Sequence, residues 1–403
     1  MSFLRHLLPL CLLLSLLGVQ TQHLDAQDYY LAATREPALD SIQPYKLGLS
    51  WQAESFFRNN EYNSSLFTGY TLPGYRLSAT FDYRVDALHG ARLSVGAYSL
   101  QYWGASRYPA ASAYRDIGYW SDLKSRRGIR VLPFVRAEIK PGPRSILVLG
   151  SIYGGASHRL IEPLYNPELN LTADPENGLQ YRYQGDRLTT DLWIDWQSFI
   201  YKRDDHQEAF AAGMHTKWII AGELEQKLWQ MNLSLQGTAV HRGGEYNLTQ
   251  NDTVHTWLNG AAGLEALWLL PTSKRNVLSA SVYALGYSQR SRHYPLDKGF
   301  GTFVDVHISG SHLDAGASYW QARDWVAPLG LPFANGLNHK GEPLPHGRSS
   351  YLKGYADLHY KWKHDLSFGL SAAVWYHPLA PQSGISHYLG LYLAIKPSVI
   401  FIR

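Results

Sequence analysis

The sequence predicts an all-β chain: an antiparallel up-and-down transmembrane β-barrel of about 16 strands (roughly 14–18) behind an N-terminal signal peptide. Three observations predict it. Segment 75–84 alternates polar and apolar residues without a miss, and the same two-residue rhythm recurs down the chain. Short and long connections between these segments themselves alternate. The chain also carries 28 Tyr and 13 Trp, rings with polar tips that collect where a membrane meets water.

The first stretch reads as a leader. Arg5 and His6 form a short basic region, and 7–17 is apolar except for Ser15. That is shorter than the roughly 20 residues that cross a bilayer as a helix, and it fits a secretory signal peptide. Cleavage after Ala26 divides the chain into a 1–26 signal peptide and a 27–403 barrel. Cys11, the only cysteine, lies inside the apolar run and not after it. This argues against lipidation and leaves the mature chain without thiols or disulfides. A net charge of +4 with no basic run gives no reason to expect a nucleic-acid partner.

The strands follow in order. Segment 45–57 places Leu47, Leu49, Trp51 and Ala53 on one face, because successive side chains point to opposite sides. A loop, 58–74, precedes 75–84, where Tyr75, Leu77, Ala79, Phe81 and Tyr83 oppose Arg76, Ser78, Thr80, Asp82 and Arg84. After a turn at 86–90, segment 92–102 returns with a change of phase at Ala97-Tyr98 that predicts a bulge. The polar-aromatic loop 103–127 leads into 128–140. There Ile129, Val131, Val135, Ala137 and Ile139 face out, and Arg130, Arg136, Glu138 and Lys140 face in. Pro141-Gly142-Pro143 makes a tight turn into 145–157, followed by a loop at 159–177. Segments 179–184 and 188–199 join at Gly185-Asp186-Arg187, with Leu192, Ile194 and Trp196 opposing Asp191, Trp193 and Asp195. Further pairs are 210–220 with 227–240, 257–270 with 276–289, 300–309 with 312–320, and 351–362 with 365–376; segment 388–402 closes the chain. Most strands are long enough to cross a membrane at a tilt, which takes about 9–11 residues. Tight turns on one side and longer loops on the other are the habit of bacterial outer-membrane barrels.

With Asn59-Asn60-Glu61-Tyr62 and Gly69-Tyr70-Thr71-Leu72-Pro73-Gly74 in its first-loop region, the chain resembles outer-membrane porin-like β-barrels. More particularly, it is similar to the uncharacterised single-barrel proteins of Bacteroidetes-type bacteria. The resemblance covers nearly the whole mature chain and rests on architecture, so it brings no catalytic residue with it. The C-terminus departs from the usual assembly signal, since Phe401 is followed by Ile402 and Arg403.

The inward charges are the candidate lumen lining: Arg76, Asp82, Arg84, Arg130, Arg136, Glu138, Arg182, Asp191, Asp195, Lys217, Lys353 and Asp357. Charges of both signs on facing walls set up a transverse field that sorts solutes; the plainer reading is that lumen charges pair with one another. Tyr98, Tyr153, Tyr181, Tyr183, Trp193 and Trp196 mix rings with Asp191 and Asp195 in a way that suits a sugar. Outward rings such as Trp196 fit an interface belt better. Asp204-Asp205-His206 has the groups to activate water, but a charged loop tip of this kind is ordinary. Ser386 and His387 are adjacent, so on a strand they point opposite ways and cannot act as nucleophile and base. His359 and His364 lack companions at metal-ligand spacing.

The expected function is an outer-membrane, porin-like channel for passive diffusion of small hydrophilic solutes. It sits in the outer-membrane lipid of a Gram-negative cell, holds no cofactor or metal and catalyses nothing. The alternative is a non-conducting barrel serving secretion or surface assembly; a barrel hydrolase comes third.

Overall fold

The computed structural model describes residues 45–85, 90–103, 129, 131–199, 208–243, 254–271, 276–290, 294–362, 366–395 and 398–400. The leader therefore lies outside the described residues, as do Arg130 and Asp204-Asp205-His206.

Sixteen strands form one closed antiparallel barrel. They are β1 (Leu47–Glu61), β2 (Tyr70–Arg84), β3 (Arg92–Tyr102), β4 (Leu132–Gly142), β5 (Ser145–Ser151), β6 (Asn177–Gln184), β7 (Leu188–Ser198) and β8 (Ala209–Glu223). The second half is β9 (Trp229–Arg242), β10 (His255–Leu269), β11 (Val277–Gln289), β12 (Lys298–Ser309), β13 (Leu313–Arg323), β14 (Arg348–Lys361), β15 (Leu366–His377) and β16 (Gly384–Ile395). Each pairs with the next, and β16 returns to β1 with Ala53 opposite Ile395. Ser398–Ile400 continues β16 along β1 in the same register, Ser50 opposite Ser398. Closure pairs every strand on both sides, which is what a sheet needs when lipid offers no hydrogen bonds.

The alternation does what the pattern requires. Leu77, Phe81, Tyr83, Val95 and Val135 are exposed on the outer wall, whereas Thr80, Asp82, Arg136 and Glu138 are buried inside. The bulge expected at Ala97-Tyr98 is absent: β3 keeps one register with β2 from Arg92 to Tyr102 and one with β4 from Arg92 to Tyr98. The phase change has another cause. Leu100 and Tyr102 face inward into an apolar cluster with Phe56, Leu72 and Leu171, so the inner face turns greasy without the strand slipping.

The β5 strand corrects the expected 145–157. It ends at Ser151, and the chain then turns into the barrel. Among the described residues two long connections fold inward this way: 152–176, between β5 and β6, and 324–347, between β13 and β14, with Leu66 and Phe67 of the shorter connection 62–69 packed beside them. They lock together through Asn166 N–H on the Leu329 carbonyl at 2.7 Å and Leu331 N–H on the Glu162 carbonyl at 2.8 Å. Leu164, Trp325, Val326 and Ala334 are wholly buried there, against the inward rings Trp257, Trp320, Tyr351 and Trp375. Each large apolar side chain so placed contributes roughly 1.5–3 kcal/mol. The core of this barrel thus sits in its lumen, toward the long-loop end.

The wall is lowest where the first of these segments leaves it. β5 and β6 have 7 and 8 residues, against at least 11 in the strands beside them. That gap in height positions the site described next.

Candidate active site

Two clefts flank the last turn of segment 152–176 as it rejoins the wall at β6. The first has a free volume of about 130 Å³ and lies between the inner wall (Arg76, Tyr98, Arg136) and the inward segment (Gly155, Asn170, Glu176). The second, of about 70 Å³, is lined by Tyr165, Leu169, Trp193, Ala211 and Leu329. Tyr165, Leu169, Ala173, Asp174, Pro175 and Glu176 are common to both.

Behind Glu176 on this shared edge, the buried His158 stands between two carboxylates. Its Nδ1 lies 2.9 Å from Asp191 Oδ2 and its Nε2 lies 2.8 Å from Glu176 Oε2. The ring stacks flat on Trp193, centroids 3.6 Å apart, which fixes its plane. Burial opposes a charge on this imidazole, but Glu176 and Asp191 overcome it and raise the histidine to about 9. His158 is therefore an imidazolium at neutral pH. Asp191 is further held by Gln180 Nε2 at 2.8 Å, and Glu176 Oε1 accepts the Gly155 N–H at 2.8 Å.

Local sequence explains the turn. Gly155 has φ +61, and a Cβ there would lie 2.4 Å from Asn170 Oδ1, so glycine lets the chain bend and pass close to that amide. Asn170 Oδ1 in turn accepts the Ala156 N–H at 2.7 Å. Its Nδ2, buried and lining the first cleft, has no acceptor among the described residues. An orphaned buried donor is uncommon and calls for an explanation.

The other carboxylates of the segment bind it to the wall. Glu162 accepts from Tyr351 OH at 2.7 Å and pairs with Lys353 Nζ. Glu168 takes Arg58 Nε at 3.1 Å, Asn60 Nδ2 at 3.2 Å and the Tyr70 hydroxyl.

The charges singled out in the sequence are mostly in this fabric. Arg76 pairs with Glu54 at 2.6 Å and donates to the Asn170 carbonyl at 2.6 Å. Arg136 donates to the Ser151 and Ile152 carbonyls and lies over the Tyr153 ring. Glu138 joins Arg92 and Tyr153 OH, each at 2.6 Å. Asp82 accepts from Ser94 and Thr80, and Arg84 sits opposite Arg92 at the turn end. Arg182 lies opposite Asp191 across β6 and β7, with its guanidinium 5.3 Å from the Tyr153 ring. Asp195 accepts from Asn177 N–H at 2.8 Å and Gln197 Nε2 at 3.2 Å. Lys217 reaches Glu265 at 2.6 Å across the intervening strand. Asp357 is half-buried on β14, opposite Ser371. Of the aromatic set, Trp193 is inside, while Trp196 faces out in a stack with Phe210 and His241.

Sequence reasoning missed Glu176 and Asn170 because it read 159–177 as a loop, and His158 because it fell between that loop and the expected strand 145–157. The signal was present: the segment mixes Leu160, Ile161, Leu164, Leu169 and Leu171 with its carboxylates, more apolar surface than a solvated loop carries. A second pair was also overlooked. Ser386 Oγ bonds not with His387, which faces out, but with His377 Nε2 at 2.9 Å, both fully buried. The Asn63 N–H also reaches Ser386 Oγ at 2.9 Å, so this serine is internally satisfied and opens on neither cleft.

A model of the family described as lipid A 3′-O-deacylase-type matches residues 39–403. No curated protein matches the chain. Among solved structures it is similar to OccAB1 of Acinetobacter baumannii, with TM-score 0.49 and 9% identity over 90% of this chain and 100% of that one. It is also similar to trimeric OmpT of Vibrio cholerae (0.48, 7%, 88% and 100%) and to OprD of Pseudomonas aeruginosa (0.44, 9%, 88% and 94%). The family match overturns the expectation that this barrel catalyses nothing, because the family so described is one of enzymes.

Proposed function

The chain belongs to the lipid A 3′-O-deacylase-type family, and from that premise we propose that it is an outer-membrane hydrolase cleaving an acyl ester of a membrane amphiphile at the low point of its wall. The observation that carries this reading is the buried Asp191–His158–Glu176 chain, whose Glu176 end lines both clefts. Ester hydrolysis needs a base for water, support for the oxyanion and a route by which a lipid arrives. Glu176 supplies a carboxylate at the cleft, paired with an imidazole that is charged at neutral pH and that Asp191 holds in place. It takes a proton from water as the water oxygen adds to the ester carbonyl, and returns that proton to the departing alkoxide, leaving a free acid and an alcohol. Asn170 Nδ2, the unsatisfied donor in the first cleft, is the group to receive the oxyanion. The short β5 and β6 leave a lateral approach from the lipid side.

A channel reading finds less support, since inward residues around the whole wall (Gln180, Ser234, Ser318, Ser386) are buried by the central segments. The test is acyl release from vesicles containing lipid A, followed by mass spectrometry. The wild type is expected to release acid, and Glu176→Gln to fall by at least about a hundredfold, the usual worth of a general base, with the gel mobility shift of the folded barrel intact. An inert wild type, or a variant as fast as the wild type, overturns the proposal.

A further inference from the structure

The two clefts differ in what they leave unsatisfied. In the first, Asn170 Nδ2 is a buried donor without an acceptor, and Arg76 and Arg136 line the inner wall. In the second, Asp195 is taken by the Asn177 N–H and Gln197, and Glu176 by His158 and the Gly155 N–H, while Gln197 Oε1 has no donor among the described residues. The rest of the lining is mostly apolar: Leu169, Ala173, Pro175 and Tyr165, shared with the first cleft, and Ala211, Leu329 and Trp193, which belong to the second alone. A sugar would need free acceptors and an open ring face. Here the Asp195 and Glu176 carboxylates are engaged, and His158 already covers one face of Trp193.

Resting on the hydrolase reading, we propose that the second cleft is the acyl-chain pocket and that Ala211 and Leu329 set the chain length it accepts. Glu176 borders both clefts, so an ester bond lying against it has its polar part in the first and its acyl carbon chain in the second. About 70 Å³ of free volume, at about 30 Å³ for each water-sized group, holds roughly two or three methylenes. A longer chain leaves by the mouth at Trp196, whose ring faces the lipid side. Ala211 enters from β8 on the wall and Leu329 from segment 324–347, so the pocket is closed by two independent parts of the chain.

Two measurements test this. The Glu176→Gln barrel, in detergent micelles, is irradiated with decanoate carrying a diazirine at its tail, and the adducts are mapped by mass spectrometry. Adducts on 165–175, 193–197, 211 or 329 are expected, and Ala211→Phe should lose most of them. Adducts confined to outward residues such as Leu192 and Met214 overturn the pocket. The second measurement compares hydrolysis of butyryl and decanoyl esters. Filling the pocket with Ala211→Phe, or from the other side with Leu329→Phe, should raise the butyryl-to-decanoyl rate ratio by about tenfold or more, since one methylene in an apolar pocket is worth at least that. An unchanged ratio in both variants, with the wild type active, rejects the pocket and leaves the hydrolase reading standing. If the wild type hydrolyses neither these esters nor lipid A, the hydrolase reading falls, and the adduct map alone decides the pocket.

Discussion

His158 is the residue on which most of the site's geometry converges, and its charge gives it a measurable pH dependence. With its ordinary value near 6.5 raised to about 9 in the fold, protonated His158 contributes stability that is complete below about pH 6.5. That contribution is lost as the pH climbs through 9, and it is worth on the order of 3 kcal/mol. Proteolysis within 152–176 should therefore quicken between pH 7 and 10 in the wild type. In His158→Gln it should start faster and stay flat across that range. A wild type with no pH dependence there would mean that the imidazole is neutral in the fold. Gly155 offers a second residue-scale check. Gly155→Ala meets both a positive φ and the Asn170 amide, so it should cost about 1–3 kcal/mol and lower hydrolysis through Asn170 and Glu176 without touching Asp191.

The inward segment 152–176 is held as an element by Glu162 and Glu168, which each find partners on the wall. Glu162→Gln leaves the Lys353 ammonium buried without its counter-charge, a loss of about 3–5 kcal/mol. Adding Lys353→Met to that variant should recover most of it, read as the temperature at which the folded band disappears on a gel. If the double variant is no better than the single, the pair is not what anchors the segment. The strands themselves could be read from the sequence, because a two-residue period is a local property that survives wherever one face meets lipid. Tyr75–Arg84 and Leu188–Ser198 keep their faces as read. The inward segments could not be read, since nothing local distinguishes a loop that folds over the mouth from one that folds into it. Strand 92–102 shows the consequence: its broken alternation, taken for a bulge, reflects apolar packing on Leu171 from a segment about 70 residues away. His377 and Ser386 show it again. Their shared face depends on the register across 378–383, which pairs His377 with Gly384.

At the scale of the whole molecule, a barrel whose centre is a packed core should conduct poorly. The refolded wild type is expected to give no large stepwise conductance in a planar bilayer, whereas replacing 324–347 by a short Gly-Ser linker should open it. Large steps from the wild type would mean that the central segments leave the lumen. The closed wall and its strand number follow from the alternation and the rhythm of short and long connections. The proposed site does not, because its groups lie on an inward connection (His158, Asn170, Glu176) and at an inward wall position (Asp191) that only the closed fold brings together. The most direct measurement of the central claim is to incubate the barrel with lipid A vesicles in ¹⁸O-labelled water and weigh the released fatty acid. Attack by water at the acyl carbonyl predicts one ¹⁸O in the free acid from the wild type and almost no acid from Glu176→Gln. Free acid without the label, or none from the wild type, would contradict it.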